Sequence, residues 1–183
     1  MADRSNTQPY WNKLWSSPRR RVEKYSMQDA VWRIREYGAK SVLDLGCGNG
    51  KLLSSLGDLD CFGIDISDLA IGKMKVMYGV EGLAMDLDDL DKFDRKFDFV
   101  VCNHTLEHIY KDRELVKNAK RLLNPGGHFY AAVPNNMSFP EETEEHVRAY
   151  NSETLSELLT EVFGNCTIKV IGHHLIGICK KEE

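Results

Sequence analysis

The sequence predicts a single α/β domain in which a mainly parallel, doubly wound sheet carries helices on both faces. Short apolar runs alternate with helical patterns from Ala39 to Val133, and such alternation gives parallel strands joined by right-handed helical crossovers. The chain has 183 residues, enough for one full core but too few for two comfortable ones. The predicted strands are Ser41–Leu45, Cys61–Asp65, Gly82–Met85, Phe97–Cys102 and His128–Val133, and the helices between them are Lys51–Leu56, Ser67–Tyr78 and Arg113–Leu123.

Further elements flank this alternating core. After the last of these strands the sequence becomes polar and irregular, and then Asn151 or Ser152 is placed to cap a final helix. Two β-like runs, Thr167–Ile171 and Leu175–Cys179, close the chain and predict an antiparallel hairpin. Near the N-terminus, Ser26 is expected to cap another helix.

The charge balance argues against nucleic acid as the main partner. The formal net charge is −4 at pH 7, whereas nucleic-acid-binding domains are usually basic. Arg19, Arg20 and Arg21 form one local basic run, which we interpret as a solvated face rather than as a binding patch.

The cysteines and the N-terminal sequence favour a cytoplasmic protein. The cysteine count is odd, no CxxC occurs and most cysteines sit in apolar runs, so we expect reduced thiols rather than a disulfide framework. The polar N-terminus does not resemble a secretory signal peptide, and no apolar run reaches the roughly 20 residues that span a bilayer. The five cysteines are Cys47, Cys61, Cys102, Cys166 and Cys179.

A glycine-rich loop follows the first predicted strand. The segment VLDLGCGNG, residues 42–50, brings Gly46, Gly48 and Gly50 together between a buried strand and a helix. Glycines are needed where the backbone approaches a ligand, and open α/β sheets bind ligands at this end of their strands. Asp65 ends the next strand about 20 residues further on, where an acid can accept both hydroxyls of a ribose. Loop, acid and spacing together predict a nucleoside-binding site.

These motifs resemble those of the class I S-adenosylmethionine (SAM)-dependent methyltransferases, and among them the type 11-like domains that act on small molecules. The resemblance runs in order from Val42 to Val133. Its segments are VLDLGCGNG at 42–50, GIDIS at 63–67, AMDL at 84–87, FDFVVCN at 97–103 and LLNPGG at 122–127.

The resemblance implies a Rossmann-like sheet of seven strands with the last one antiparallel. It divides the single domain into an N-terminal helical lid (1–38), a SAM-binding core (39–133) and a C-terminal part (134–183) with the substrate loop, last helix and hairpin. It places Asp65 on the ribose, Asp86 on the adenine amino group, and Asn103 beside the methionine end of SAM. The full set of cofactor residues that it implies is Asp44, Gly46, Cys47, Gly48, Gly50, Asp65, Ile66, Asp86, Leu87 and Asn103.

Residues outside the SAM motifs are candidates for binding the methyl acceptor. His104 follows Asn103 directly, so it is a candidate general base or positioning group, although a capping or packing role would give the same sequence. His146 and Tyr150 lie in the irregular segment after the fifth strand and are candidates for the mouth of the site. Tyr10 and Trp11 belong to an aromatic cluster that either covers SAM or packs on the sheet.

The segment His104-Thr105-Leu106-Glu107-His108 also has the form of a metal-binding motif. It is similar to the E-x-x-E-H set of small-RNA 3′-end 2′-O-methyltransferases, with His104 in place of the first glutamate and His146 as the later ligand. Because of that departure we expect Glu107 and His108 to be structural, and we expect activity without a bound metal.

The sequence thus predicts SAM-dependent methylation of an oxygen or nitrogen of a small molecule, with release of S-adenosylhomocysteine (SAH). Two alternatives remain open. The first is an RNA 3′-end 2′-O-methyltransferase with a metal at His104, Glu107, His108 and His146, and the second is a non-catalytic SAM-binding regulator. Metal content and turnover distinguish the three. The acceptor itself is not predicted, because acceptor pockets are built from loops that vary within one fold.

Overall fold

A computed structural model describes residues 6–17, 24–136 and 145–182 of the chain, so the basic run Arg19–Arg21 lies outside the described residues. No helix in these three ranges is long and apolar enough to cross a membrane. The helices are α1 (Gln8–Ser16), α2 (Lys24–Glu36), α3 (Asp68–Tyr78), α4 (Asp112–Leu122) and α5 (Ser152–Phe163), with short 3₁₀ helices at Leu53–Leu56, Leu87–Lys92 and Leu106–His108. The strands are β1 (Ser41–Leu45), β2 (Asp60–Asp65), β3 (Glu81–Ala84), β4 (Phe97–Asn103), β5 (Leu123–Pro134), β6 (Cys166–Ile171) and β7 (His174–Lys180).

The strands form one seven-stranded sheet in the order β3-β2-β1-β4-β5-β7-β6. Strands β1 to β5 run parallel, and β7 pairs antiparallel with both β5 and β6, which confirms the predicted fold class and the terminal hairpin. The strand order reverses at β1, which lies between β2 and β4. The carboxyl ends of strands flanking such a reversal border a crevice, and open α/β sheets bind their ligands there.

Strand β4 shows how the sheet is buried on both faces. Val100 and Cys102 belong to the core that α4 and α5 cover, whereas Phe99 and Val101 belong to the core under α2 and α3. All four side chains are fully buried. Continuous apolar runs of this kind are typical of parallel strands that helices cover on both sides.

Three local predictions differ from the structure. Ser26 does not cap α2, because the helix already begins at Lys24 and leaves Ser26 buried inside it. The predicted helix Lys51–Leu56 is a shorter 3₁₀ segment. Strand β5 begins at Leu123 rather than His128, because Leu123 is already extended where α4 ends.

The prediction that all cysteines are reduced is wrong for one pair. Cys166 and Cys179 form a disulfide between β6 and β7. The two residues are direct partners in the antiparallel register, and their Cα atoms are 4.4 Å apart, within the range that a disulfide bridges. That register depends on the hairpin turn and is not visible in the spacing of the cysteines. Cys47, Cys61 and Cys102 are free thiols.

The Asp98 carboxylate connects the starts of three strands. Its Oδ2 accepts hydrogen bonds from the backbone amides of Lys40 (2.9 Å) and Ser41 (3.1 Å), and its Oδ1 accepts one from Asn124 Nδ2 (2.8 Å). Partial burial alone would raise the pKa of Asp98, but the hydrogen bonds from Asn124 and the two amides outweigh it and hold the pKa below its usual value. Asp98 therefore stabilises the fold while it is ionised.

Replacement of Asp98 tests this connection. We expect Asp98→Ala to lower the free energy of unfolding by about 1–3 kcal/mol, because its donors lose their partner. Asp94→Ala is the control; that side chain is 87% exposed, so a change within about 0.5 kcal/mol is expected. Urea unfolding between pH 7 and pH 3 measures both. Since the pKa is lower in the folded state, the stabilisation is present above the unfolded pKa of about 3.9 and is lost as pH falls below it. A gap between wild type and Asp98→Ala that stays constant to pH 3 would contradict the assignment.

Candidate active site

A cavity opens at the carboxyl edge of the sheet, where the reversal of strand order predicts a ligand site. Its described lining combines carboxylates, histidines and large apolar side chains. The sequence-predicted site residues that line it are Trp11, Gly46, Asp65, Ile66, Asp86, Leu87 and His104. Trp15, Thr105, Asp88, Ile109 and Tyr110 line it as well and were not among the predicted site residues.

The glycine loop follows β1 in a conformation that requires glycine. Gly46, Gly48 and Gly50 all have positive φ angles, of 76°, 53° and 74°. A Cβ atom on Gly46 would lie 2.2 Å from Thr105 Oγ1, and one on Gly48 would lie 2.2 Å from the Trp15 ring. The sequence explained these glycines by the approach of a ligand. The structure adds a second reason, because protein side chains pack directly against the loop.

Asp65 ends β2 and holds the glycine loop. Its Oδ2 accepts a hydrogen bond from the Gly48 amide, and its Oδ1 accepts one from the Ser67 amide, both at 2.8 Å. A carboxylate has about four lone-pair positions, so it can accept both from backbone amides and from the hydroxyls of a ribose. Asp65 thus has both the location and the acceptor capacity that the sequence predicts for it.

Asp44 is the second carboxylate in this region and is almost completely buried in β1. Burial, together with the negative charge of Asp65, raises its pKa to about 7. The Oδ1 atom of Asn103, at the end of the neighbouring strand β4, is buried and has no hydrogen-bond partner among the described residues. Burying a carboxylate, or an amide oxygen without a hydrogen-bond partner, costs free energy of folding. A ligand with a positive charge and hydrogen-bond donors would offset that cost at both groups.

The remaining predicted cofactor residues occupy two kinds of position. Asp86 and Leu87 line the cavity where β3 leads into a 3₁₀ helix, and Asp86 Oδ1 also caps that helix by accepting from the Asp88 amide at 2.9 Å. Cys47 is buried, and burial raises the pKa of its thiol well above the ordinary value, so it packs as an apolar group. The predicted residues that belong to the loop or to the strand ends but do not line the cavity are Asp44, Cys47, Gly48, Gly50 and Asn103.

Helix α1 covers one side of the cavity with Trp11 and Trp15. Asn12 fixes this helix to the start of α3, because its Nδ2 donates to Asp68 Oδ1 (2.8 Å) and its Oδ1 accepts from Ser67 Oγ (2.5 Å). The sequence left a lid and a packing role open for the aromatic cluster. Trp11 is buried and also lines the cavity, so both roles remain predictions for it.

His104 stands at the junction of β4 and the acceptor side of the cavity. Its φ angle is +55°, which non-glycine residues rarely adopt and which is often found at functional sites. Its amide donates to the Ala132 carbonyl at 2.8 Å, and its Nδ1 lies 3.2 Å from Glu107 Oε1. Burial alone would raise the pKa of Glu107, but the hydrogen bond from His104 and the two nearby histidines lower it. An ionised Glu107 thus orients the His104 ring.

The other predicted acceptor residues lie outside the cavity lining. His146 contacts His108, with ring centroids 4.9 Å apart, and His108 does line the cavity. Tyr10 packs edge-on against Trp11. Tyr150 is buried in the core, where its hydroxyl donates to Asp112 Oδ2 at 2.9 Å. The structure therefore brings Tyr10 and His146 next to cavity residues and places Tyr150 in a packing role.

Comparison with known proteins identifies the family to which this site belongs. Residues 19–162 match a family model described as a methyltransferase domain. The chain belongs to the class I SAM-dependent methyltransferases. Its cofactor is SAM and the corresponding product is SAH. A protein from Paraburkholderia phytofirmans named ubiquinone biosynthesis O-methyltransferase is 32% identical over 104 residues, which cover 52% of this chain and 45% of that protein. The chain spans about half the length of the curated relatives it matches.

Solved structures of methyltransferases share the fold. The N-methyltransferase NodS from Bradyrhizobium japonicum, in complex with SAH, gives a TM-score of 0.73 at 18% identity and covers 98% of this chain and 100% of its own. The DhpI–SAH complex gives a TM-score of 0.76 at 20% identity and covers 96% of this chain and 95% of its own. Identities this low show the fold alone.

The residues of the cavity and of the strand ends beside it fit SAM chemically. The Asp65 carboxylate can accept from ribose hydroxyls, and the Asp86 carboxylate, which lines the cavity, can accept from an adenine amino group. The buried Asp44 and the buried Oδ1 of Asn103 suit the positive charges and donors of the methionine part. We propose these roles for the residues that the sequence motifs predict.

The role of Asp65 is tested by Asp65→Ala, for which we expect SAM affinity to fall at least tenfold. Each of two charge-assisted hydrogen bonds contributes about 1.5–3 kcal/mol to binding. A tenfold change in the dissociation constant corresponds to roughly 1.4 kcal/mol, so the loss of both bonds exceeds it. The variant should be less stable but folded, because the loop also loses its acceptor. Calorimetry measures the affinity, with Asp58→Ala as control, since exposed Asp58 pairs with Arg35 away from the site. Unchanged SAM affinity in Asp65→Ala would rule out the ribose role.

The raised pKa of Asp44 predicts a pH dependence of SAM binding. Asp44 is protonated below about pH 7 and anionic above it, and only the anion attracts the sulfonium. If bound SAM holds Asp44 ionised, affinity should rise about tenfold from pH 6 to pH 8. Titrations of wild type and Asp44→Asn isolate this effect, because the variant still carries any pH dependence of SAM itself. Parallel pH profiles for the two proteins would show that Asp44 does not face the sulfonium.

Proposed function

We propose that this methyltransferase transfers the methyl group of SAM to an oxygen or nitrogen of a small-molecule acceptor. The observation that carries the proposal is the composition of the cavity lining beside the SAM residues. Trp11, Trp15, Ile109 and Tyr110 give it an apolar lining, and His104 adds a polar group. Aromatic and apolar side chains combined with placed polar groups are typical of pockets that bind small molecules.

The residues of the chain orient the reactants and hold the proton. Bound SAM supplies a methyl group on a positively charged sulfur, which the lone pair of the acceptor takes so that neutral SAH is left. His104 donates from Nδ1 to Glu107, so Nε2 is the ring nitrogen that can accept a proton from the acceptor. Such a base is useful only when the acceptor must lose a proton before or during attack. Asp44 and Asp65 supply negative charge on the SAM side of the site.

The domain divides naturally between the two substrates. Residues 39–133 contain the SAM motifs, whereas residues 1–38 and 134–183 supply α1 and the segment after β5. We assign the acceptor to these outer parts, since α1 already covers the cavity and its two tryptophans shield the reaction from water. Transfer to oxygen or nitrogen is supported by the likeness to a ubiquinone biosynthesis O-methyltransferase and to the N-methyltransferase NodS.

An acceptor screen tests the function. Wild-type chain and SAM are incubated with panels of phenols, hydroxy acids, amines and RNA oligonucleotides, and SAH formation is measured. We expect turnover with at least one small-molecule panel and none with RNA. On that acceptor, His104→Ala should lower kcat by about 10²–10⁴-fold at unchanged SAM affinity. His173→Ala, in the exposed β6–β7 turn, is the matched histidine control.

The other outcomes favour the alternatives. Turnover with the RNA panel alone would favour the RNA 3′-end enzyme. SAM binding without turnover on any panel would favour a regulator. Equal losses of kcat in His104→Ala and His173→Ala would remove the assigned role of His104.

A further inference from the structure

Three side chains with metal-ligating atoms converge beside the cavity. Glu107, His108 and His146 each offer one such atom, and these atoms all lie within 4.8 Å of one another. Glu107 and His108 come from the 3₁₀ helix after β4, and His146 comes from the segment after β5. His108 also lines the cavity that holds the SAM residues. The cluster therefore lies at the acceptor side of the site.

Backbone contacts fix the geometry of this cluster. The amides of Val147 and Arg148 both donate to the Glu107 carbonyl, at 2.8 and 3.1 Å, so the residues that follow His146 are tied to the 3₁₀ helix. The Glu145 carbonyl, just before His146, accepts a hydrogen bond from Asn6 Nδ2 at 3.0 Å. The main chain is therefore fixed on both sides of His146, by the Asn6 side chain before it and by the Glu107 carbonyl after it.

Two buried atoms of the cluster lack partners. Glu107 is 1% exposed, and its Oε2 has no hydrogen-bond partner among the described residues. The same holds for His146 Nδ1. A buried carboxylate oxygen without a partner is costly, so such groups usually pair with a donor or a cation. A divalent ion between Glu107 and His146 would satisfy both atoms at once.

Hydrogen bonds to neighbouring residues orient His108 and Glu107 in the way that metal ligands are usually oriented. His108 Nδ1 lies 2.9 Å from the Glu145 carbonyl, which requires a proton on Nδ1 and leaves the Nε2 lone pair as the ligating one. Glu107 Oε1 accepts from His104 Nδ1 at 3.2 Å. Histidine ligands typically donate their other nitrogen to a carbonyl or carboxylate, and carboxylate ligands are themselves hydrogen-bonded.

We propose that Glu107, His108 and His146 bind one divalent transition-metal ion, such as Zn²⁺ or Mn²⁺, and that this ion holds a hydroxyl oxygen of the acceptor. The inference rests on the proposed function and narrows the acceptor to an alcohol or phenol. One carboxylate and two imidazoles suit such ions and leave positions open for a substrate. An ion there would lower the pKa of a bound hydroxyl, so that its proton passes more readily to His104 Nε2, the base of the proposed function, and the oxygen keeps the lone pair that attacks.

This arrangement differs from both sequence-based expectations. It contradicts the expectation of activity without a metal. It also differs from the four-ligand set, because His104 Nδ1 is engaged with Glu107, so that His104 orients one ligand of the ion and is not itself a ligand. At a tetrahedral ion, metal–ligand bonds of about 2.0–2.2 Å place the ligand atoms about 3.3–3.6 Å apart, so the side chains close by up to about 1.5 Å on binding.

Metal binding by the full chain tests the proposal directly. Wild type, His146→Ala, His104→Ala and His173→Ala are stripped with chelator and dialysed against Zn²⁺ or Mn²⁺, and bound metal is measured by elemental analysis. We expect one ion per chain in wild type and in the control His173→Ala. Affinity should fall at least about 100-fold in His146→Ala, and about 10–100-fold in His104→Ala, which removes only an orienting bond. SAH affinity on the same samples reports whether each variant is folded.

The outcomes separate the metal site from the methyltransferase function. Wild type that binds SAH but retains no more metal than His146→Ala would overturn the metal site and leave methyl transfer intact. Equal metal loss in His173→Ala and His146→Ala would overturn it too. Failure of wild type to bind SAH would instead reject the proposed function. In the acceptor screen, chelator should abolish SAH formation from hydroxyl acceptors, and undiminished turnover in chelator would reject the role of the ion.

Discussion

The carboxylate of Asp65 fixes the geometry on which the rest of the site depends. It receives the amides of Gly48 and Ser67, so one group at the end of β2 positions both the glycine loop and the start of α3. Ser67 in turn bonds Asn12 of α1. Without this carboxylate, the glycine loop and the start of α3 would lose the hydrogen bonds that fix them relative to each other, and α1 is attached to the same point through Ser67. Burial, together with the negative charge of Asp65, raises the pKa of Asp44 to about 7. The two neighbouring carboxylates therefore repel each other, and a cationic ligand would reduce this repulsion.

Much of the fold was predictable because local patterns and tertiary structure agree. Strand β1 begins and ends where the sequence predicts, since a buried apolar run there leads straight into glycines that cannot continue it. The prediction for β5 started at His128, because Asn-Pro-Gly-Gly has the composition of a turn. In the structure Leu123 already pairs with Phe97, so pairing with β4 overrides the local turn preference. The Cys166–Cys179 bridge depends on strand register, which spacing does not reveal.

The site was predictable where a motif fixes a residue and its position together. Asp65 and Gly46 line the cavity because the strand end and the loop determine where they lie. Thr105 and Trp15 were missed as site residues, because they act by filling the space that missing glycine side chains leave. The aromatic spacing of α1 was the available signal for Trp15. For Tyr150 the sequence shows an aromatic near the site, but only packing shows that its hydroxyl bonds Asp112.

The segment from Asn103 to His108 connects the SAM side of the site with the proposed acceptor side. Thr105 Oγ1 donates to the Leu45 carbonyl at 3.0 Å, directly before the glycine loop, and so fixes the segment to the SAM side. Two residues later, the Glu107 carbonyl receives the amides of Val147 and Arg148 and fixes the same segment to the acceptor side. His104 lies between these anchors, and its left-handed backbone reflects the sharp turn that they impose. A shift of the glycine loop on SAM binding would therefore reach His104 and the cluster of Glu107, His108 and His146 through one short, doubly anchored segment.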